Sequence, residues 1–214
     1  MLTIACVLKS GGIYEAEWVR KLRDAVARNL PEKHRFVCLS DVDVPCERIA
    51  LQHDWPAWWS KIELHRKGVV DGPTLYLDLD TVIVGEIRWH GLMRSDADFA
   101  MLRSFWAENM VGSGVMWWSG DGDTDKVYQK FLRQPEAYIA HHERNKDGPY
   151  VGDQAFVWDV MGREVPAIND HMPGIYSYKM HCKGRLPEDA AIVCFHGKPR
   201  PTEVNTEWMT EHWR

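Results

Sequence analysis

Two hydrophobic periods run along this chain. Ile4 to Leu8, Arg35 to Leu39 and Thr74 to Leu79 are short apolar runs of strand type. Tyr14, Trp18, Val19, Leu22, Ala25 and Val26 recur at helical spacing, with Pro31 just beyond them. Trp58, Trp59, Ile62 and His65 mark a short amphipathic helix that ends before the turn Asp71-Gly72-Pro73. Asp98 to Leu102, Gly114 to Trp118 and Ala190 to Phe195 predict further strands, and Lys126 to Leu132 and Asp153 to Met161 further helices. Strands alternating with helices imply an α/β fold: a mainly parallel central sheet with helices on both faces. Ligands of such sheets bind beyond the carboxyl ends of the strands.

No Gly- or Ser-rich linker divides the 214 residues, so a single domain is expected. The charge balance of 26 basic and 31 acidic residues, net −5, argues against nucleic acid or an anionic membrane as partner. No apolar run approaches the roughly 20 residues that span a bilayer. The N-terminal apolar stretch lacks a basic region before it and reads as a strand, not a signal peptide. Five scattered cysteines form no CxxC pair, and Cys6, Cys38 and Cys194 lie in apolar runs, so a reduced, cytoplasmic setting is expected. His141-His142 reads as solvated. Of Trp117-Trp118, alternating across a strand, one reads as core.

The segment Tyr76-Leu77-Asp78-Leu79-Asp80-Thr81-Val82-Ile83-Val84-Gly85 carries the chemistry. Side chains at i and i+2 of an extended chain share a side, so Asp78 and Asp80 project together while Leu75, Leu77 and Leu79 face the core. Two carboxylates at a sheet end attract a hard divalent cation. An isolated D-x-D is more often a solvated turn; the apolar, strand-forming run around this one shifts the reading to a metal site. A D-x-D-x-T is also similar to the nucleophile motif of haloacid-dehalogenase-type phosphatases, in which the first Asp attacks phosphorus. That motif opens its domain, whereas here a strand-helix-strand-helix unit precedes it.

Five segments in order resemble the GT-A glycosyltransferases, in particular the retaining family of glycogenin and bacterial lipopolysaccharide galactosyltransferases. They are Trp59-Ser60-Lys61-Ile62, the D-x-D run, Gly112-Ser113-Gly114-Val115-Met116, Gly152-Asp153-Gln154 and Phe195-His196-Gly197-Lys198-Pro199. The resemblance implies a GT-A domain, with a nucleotide-binding half at 1–85 and an acceptor-side half at 86–214. It implies transfer of a sugar from a nucleotide-sugar donor, a UDP-sugar, to a saccharide or other hydroxyl acceptor, with retention. Its cofactor would be Mn²⁺, or Mg²⁺, on Asp78, Asp80 and His196. Donor contacts would come from Leu8, Lys9, Asp41, Lys61, Asp78, Leu79, Ser113, Gly114 and Lys198, and catalysis from Asp153 and Gln154.

Two positions depart from the family pattern: Gly112 replaces an Asn, and Ala155 replaces the third acidic residue of Asp-Gln-Asp. The spacing after His196 is compressed. These departures keep a non-catalytic nucleotide-sugar-binding module, beside the phosphohydrolase, as an alternative. Trp55, Trp58, Trp59 and Trp106 divide between an acceptor cleft and the core, with at least half expected in the core.

Overall fold

The computed structural model describes residues 1–69, 71–144 and 151–214. β1 (Leu2–Leu8) leads through α1 (Ala16–Asn29) to β2 (His34–Ser40), β3 (Glu47–Ala50) and a 3-10 helix, Ala57–His65. β4 (Thr74–Leu77) and β5 (Thr81–Ile83) flank a turn. The one-turn helix α2 (His90–Met93) then precedes the antiparallel pair β6 (Phe99–Arg103) and β7 (Val111–Trp118). Helices α3 (Asp125–Arg133), α4 (Pro135–Arg144) and α5 (Gly152–Met161) follow, then β8 (Ile175–Ser177), β9 (Ile192–Cys194) and α6 (Glu207–His212).

Among the described residues the strands form a six-stranded sheet, β3-β2-β1-β4-β7-β6, and a three-stranded sheet, β5-β9-β8. β1 pairs in parallel with β2 and β4, and β2 with β3, while β7 runs antiparallel to β4 and β6. Alternation along β1 explains why helices cover both faces. Ile4, Cys6 and Leu8 pack with Trp18, Leu22 and Val26 of α1; Ala5 and Val7 pack with Trp59, Ile62, Phe131 and Phe156 of the other helices. Each Val, Leu, Ile or Phe among them contributes about 1.5–3 kcal/mol by leaving water. Because both faces are covered, Trp117 and Trp118 are both buried, where alternation had suggested one.

The third predicted strand stops at Leu77, not Leu79. Asp78 N–H makes a last bond to the Gly114 carbonyl at 2.9 Å, and Thr81 N–H then turns back to the Asp78 carbonyl at 3.0 Å. Asp78-Leu79-Asp80 is therefore a turn, and the apolar run beyond it is a second strand in the other sheet. Strand β7 begins at Val111, and its Gly112 pairs with Leu102 across a register shift. β3 and β8 were not predicted; β3 is an edge strand with three of its four residues exposed, so it shows no apolar alternation.

The reversal of β7 matters for function. It brings the start of β7, with Gly112, Ser113 and Gly114, to the edge of the sheet where β1, β2 and β4 end. Lys9, Asp41 and Asp78 follow those ends.

Candidate functional site

Lys61 is the centre of a buried polar cluster. Its Nζ donates to Ser113 Oγ at 2.7 Å, pairs with Asp153 Oδ2 at 2.8 Å, and reaches Asp78 Oδ1 at 3.5 Å. The cluster thus joins the 3-10 helix, β7, the first turn of α5 and the turn after β4. Burial alone would push the Lys61 ammonium toward deprotonation; the carboxylates of Asp153 and Asp78 outweigh it and hold its pKa above the ordinary value. Asp153 lies at the start of α5, where unpaired N–H groups favour a carboxylate. Asp78 Oδ1 also accepts from the Tyr76 hydroxyl at 2.5 Å.

The predicted amphipathic helix takes a 3-10 form, and a buried carboxylate fixes it. Glu63 accepts the N–H groups of Gln52 and His53 at 2.8 to 3.0 Å, tying the helix to the segment after β3. That anchor sets where Lys61 points.

Asp80 lies in the same turn and is buried. Its Oδ2 accepts from the Tyr14 hydroxyl at 2.7 Å and from Arg200 at 2.5 Å. Burial and the neighbouring Asp78 carboxylate push its pKa up to about 6, against the pull of Tyr14 and Arg200.

At the ends of β1 and β2, Lys9 Nζ pairs with Asp41 Oδ2 at 2.5 Å and with Asp54 Oδ1 at 2.8 Å. Ser10 adds its N–H to Asp41 at 2.9 Å and its hydroxyl at 2.6 Å. Burial works the other way, but the hydrogen bonds from Lys9 and Ser10 hold Asp41 down at about 2. Leu8 and Leu79 are both buried, so what they offer a ligand is backbone.

Gln154 faces the start of β7: a Cβ added at Gly112 would stand 3.8 Å from its Oε1. Trp58 lies over Gly152 and is exposed, as is Trp106, whereas Trp55 and Trp59 are buried.

Two expected residues have other side-chain partners here. The His196 ring nitrogen Nε2 is 2.6 Å from Ser177 Oγ, and the ring stacks on Phe105. Burial, with Lys179 nearby, keeps its pKa below the ordinary value and the imidazole neutral. The chain just before it nevertheless adjoins the Asp78-Leu79-Asp80 turn, because Phe195 N–H donates to the Asp80 carbonyl at 3.2 Å. Lys198 is exposed, with Glu203 at 3.9 Å as its neighbour.

Three site residues escaped the sequence reading. Tyr14 was counted as an apolar helix position, Tyr76 was read only as part of the strand, and Arg200 was passed over for Lys198. Signals existed for two of them: strand alternation puts Tyr76 on the side of Asp78, and Arg200-Pro201 repeats the basic-Pro pair Lys198-Pro199.

Asp78 and Asp80 suit a hard divalent cation. Both carboxylates sit on one turn, and a Cβ at Gly114 would come within 3.4 Å of Asp78 Oδ2, so the glycine keeps that approach open. Among the described residues no group of three His, Cys, Asp or Glu converges into a full cage. A cation held here would take its remaining oxygens from water or a ligand, the usual arrangement for Mg²⁺ beside phosphates.

No family model and no curated protein matches the sequence. Solved structures do. The galactosyltransferase LgtC, determined with donor and acceptor sugar analogues, matches with TM-score 0.64 and 13% identity, over 98% of this chain and 94% of its own. The glycosyltransferase GlyE of Streptococcus pneumoniae TIGR4 matches with TM-score 0.59 and 13% identity, over 93% of this chain. The bifunctional glycosyltransferase WbbM matches with TM-score 0.60 and 9% identity, over 98% of this chain. The chain spans 55% of the length of GlyE and 50% of WbbM. This likeness establishes the architecture: the chain has the GT-A fold expected from its sequence.

Proposed function

We propose that this chain is a metal-dependent glycosyltransferase, taking a sugar from a nucleotide-sugar donor, a UDP-sugar, to a saccharide or other hydroxyl acceptor with retention. The observation that carries the reading is the Lys61 cluster. Four residues from four separate segments, Lys61, Asp78, Ser113 and Asp153, meet at the strand ends of a GT-A fold.

Each part has a role that its chemistry suits. Lys9 and Asp41, paired at the ends of β1 and β2, would meet the nucleoside, and the Lys61 ammonium adds fixed positive charge beside Asp78. Asp78 and Asp80 would hold Mn²⁺ or Mg²⁺, which when bound supplies charge against which a diphosphate departs. Asp153 and Ser113 present a carboxylate and a hydroxyl for sugar hydroxyls. Gln154 is an amide and a poor nucleophile, so a double displacement through it is disfavoured. Retention would then follow a front-face route, in which the leaving phosphate oxygen takes the acceptor's proton and the Gln154 carbonyl stabilises the cation-like sugar. A reducing, cytoplasmic setting suits the cysteines, all of which are free.

Calorimetric titration with a panel of nucleotide sugars in Mn²⁺ tests the reading. A UDP-sugar binds, and Asp78→Asn removes the metal-dependent part of its affinity. Equal affinity in both proteins, with and without Mn²⁺, contradicts the reading.

A further inference from the structure

Asp80 already has a cation of its own. The Arg200 NH1 group donates to Asp80 Oδ2 at 2.5 Å and to the Tyr14 hydroxyl at 2.8 Å, while Tyr14 donates to the same Asp80 oxygen. The guanidinium also lies over the Tyr14 ring, 5.6 Å from its centroid. Three groups from distant parts of the chain thus form a closed triangle on one carboxylate oxygen.

The chain delivers Arg200 there by construction. Its N–H donates to Glu203 Oε2 at 2.7 Å at the start of the short helix Pro201–Glu203. The same segment continues through α6 to Trp213, which packs edge-on against Trp18 at 5.2 Å, and Trp18 packs on Tyr14 at 5.0 Å. The C-terminal segment is therefore anchored on the helix that follows Tyr14, and it holds Arg200 at Asp80.

We infer that Arg200 is a built-in counter-cation of Asp80, which neutralises this carboxylate in the metal-free protein and must leave it before a divalent cation can use it. The inference rests on the reading of Asp78 and Asp80 as cation ligands. A buried carboxylate without a partner costs several kcal/mol, so an internal partner stabilises the empty site. The same partner repels an incoming cation and occupies one of the two carboxylate oxygens, Oδ2. Only the fraction of molecules with Arg200 displaced is competent, and the apparent metal affinity falls by that fraction. A bound nucleoside diphosphate offers the displaced guanidinium a new anion within reach. Metal and nucleotide should therefore bind cooperatively, each raising the affinity of the other by the same factor.

The test is titration of Mn²⁺ alone into the full chain, read by calorimetry and by loss of the free Mn²⁺ paramagnetic resonance signal. Arg200→Gln removes the charge, and it should bind Mn²⁺ about 10-fold more tightly than the unaltered protein. Tyr14→Phe removes the hydroxyl that links Arg200 to Asp80 and should give a smaller gain. With UDP present, the enhancement of Mn²⁺ binding should be larger in the unaltered protein than in Arg200→Gln. Equal or weaker Mn²⁺ binding by Arg200→Gln overturns the inference, and so does absence of Mn²⁺ binding in all three proteins. UDP binding without metal, measured in the same series, reports on the nucleotide-sugar reading separately.

Discussion

Lys61 Nζ and Asp153 Oδ2 stand 2.8 Å apart, both side chains buried, and this pair fastens the 3-10 helix to the first turn of α5. A buried ion pair of this kind costs desolvation on both sides. Its presence at a strand edge, shared with Ser113 and Asp78, marks a place where the fold gives up packing for charge.

Removing one partner strands the other. Lys61→Met leaves Asp153 buried without its cation and should lower stability by about 3–5 kcal/mol. The double variant Lys61→Met/Asp153→Leu should recover most of that loss. Urea unfolding of the single and double variants measures it; equal losses would show that the pair itself is not what the fold depends on.

His65 should give the protein an acid-sensitive slope. It packs edge-on against the rings of Phe99 and Trp118, and neither of its ring nitrogens has a hydrogen-bond partner among the described residues. Burial pushes its pKa down to about 3. The unfolded chain takes up a proton below about pH 6.5 that the folded chain refuses. Stability is therefore full above that pH and falls by up to about 1.4 kcal/mol per unit as pH drops toward 3. Replacing His65 by Leu removes this term, so the variant should gain about 2 kcal/mol on the unaltered protein between pH 7 and pH 5. Parallel pH profiles would contradict the assignment.

Gly114 separates folding from cation binding. A methyl group there meets only Asp78 Oδ2, at an ordinary contact distance of 3.4 Å. Ala also fits a strand better than Gly, by up to about 1 kcal/mol. Gly114→Ala should leave the melting temperature unchanged or higher while weakening Mn²⁺ binding beside Asp78. Unchanged Mn²⁺ affinity would place the cation elsewhere.

Gln154 is the residue assigned to the sugar's reacting face. Gln154→Ala should slow transfer about 10- to 100-fold, a loss of about 1.4–2.7 kcal/mol of transition-state stabilisation, with the fold unchanged. Asp153→Asn should act more on donor binding. Steady-state kinetics of the two variants separates these effects, and an unaltered rate in Gln154→Ala removes it from the mechanism.

The architecture was legible because period and order carry it. The apolar alternation of β1 and the helical spacing of α1 each name the face they bury, and Trp18, Leu22 and Val26 are core as expected. The turn at Asp78 was not legible, since an apolar run reads the same whether it is one strand or two in different sheets. The convergence of Asp78, Ser113 and Asp153 on Lys61 was expected only through the resemblance, because spacing along the chain does not reveal contacts between distant segments. Arg200 was missed for a related reason. Lys198 and Arg200 are both followed by proline, and only the packing of the C-terminal segment decides which one reaches a carboxylate. The orientation of His196 toward Ser177 likewise depends on β8, a strand of three residues with no sequence period.

Turnover is the most direct test of the central claim. The chain is incubated with UDP-hexoses and Mn²⁺, and the first products are followed by NMR. The account predicts slow release of UDP with a sugar that keeps the α configuration of its donor, and no release by Asp78→Asn. Release of inorganic phosphate, or a first product of β configuration, would contradict it.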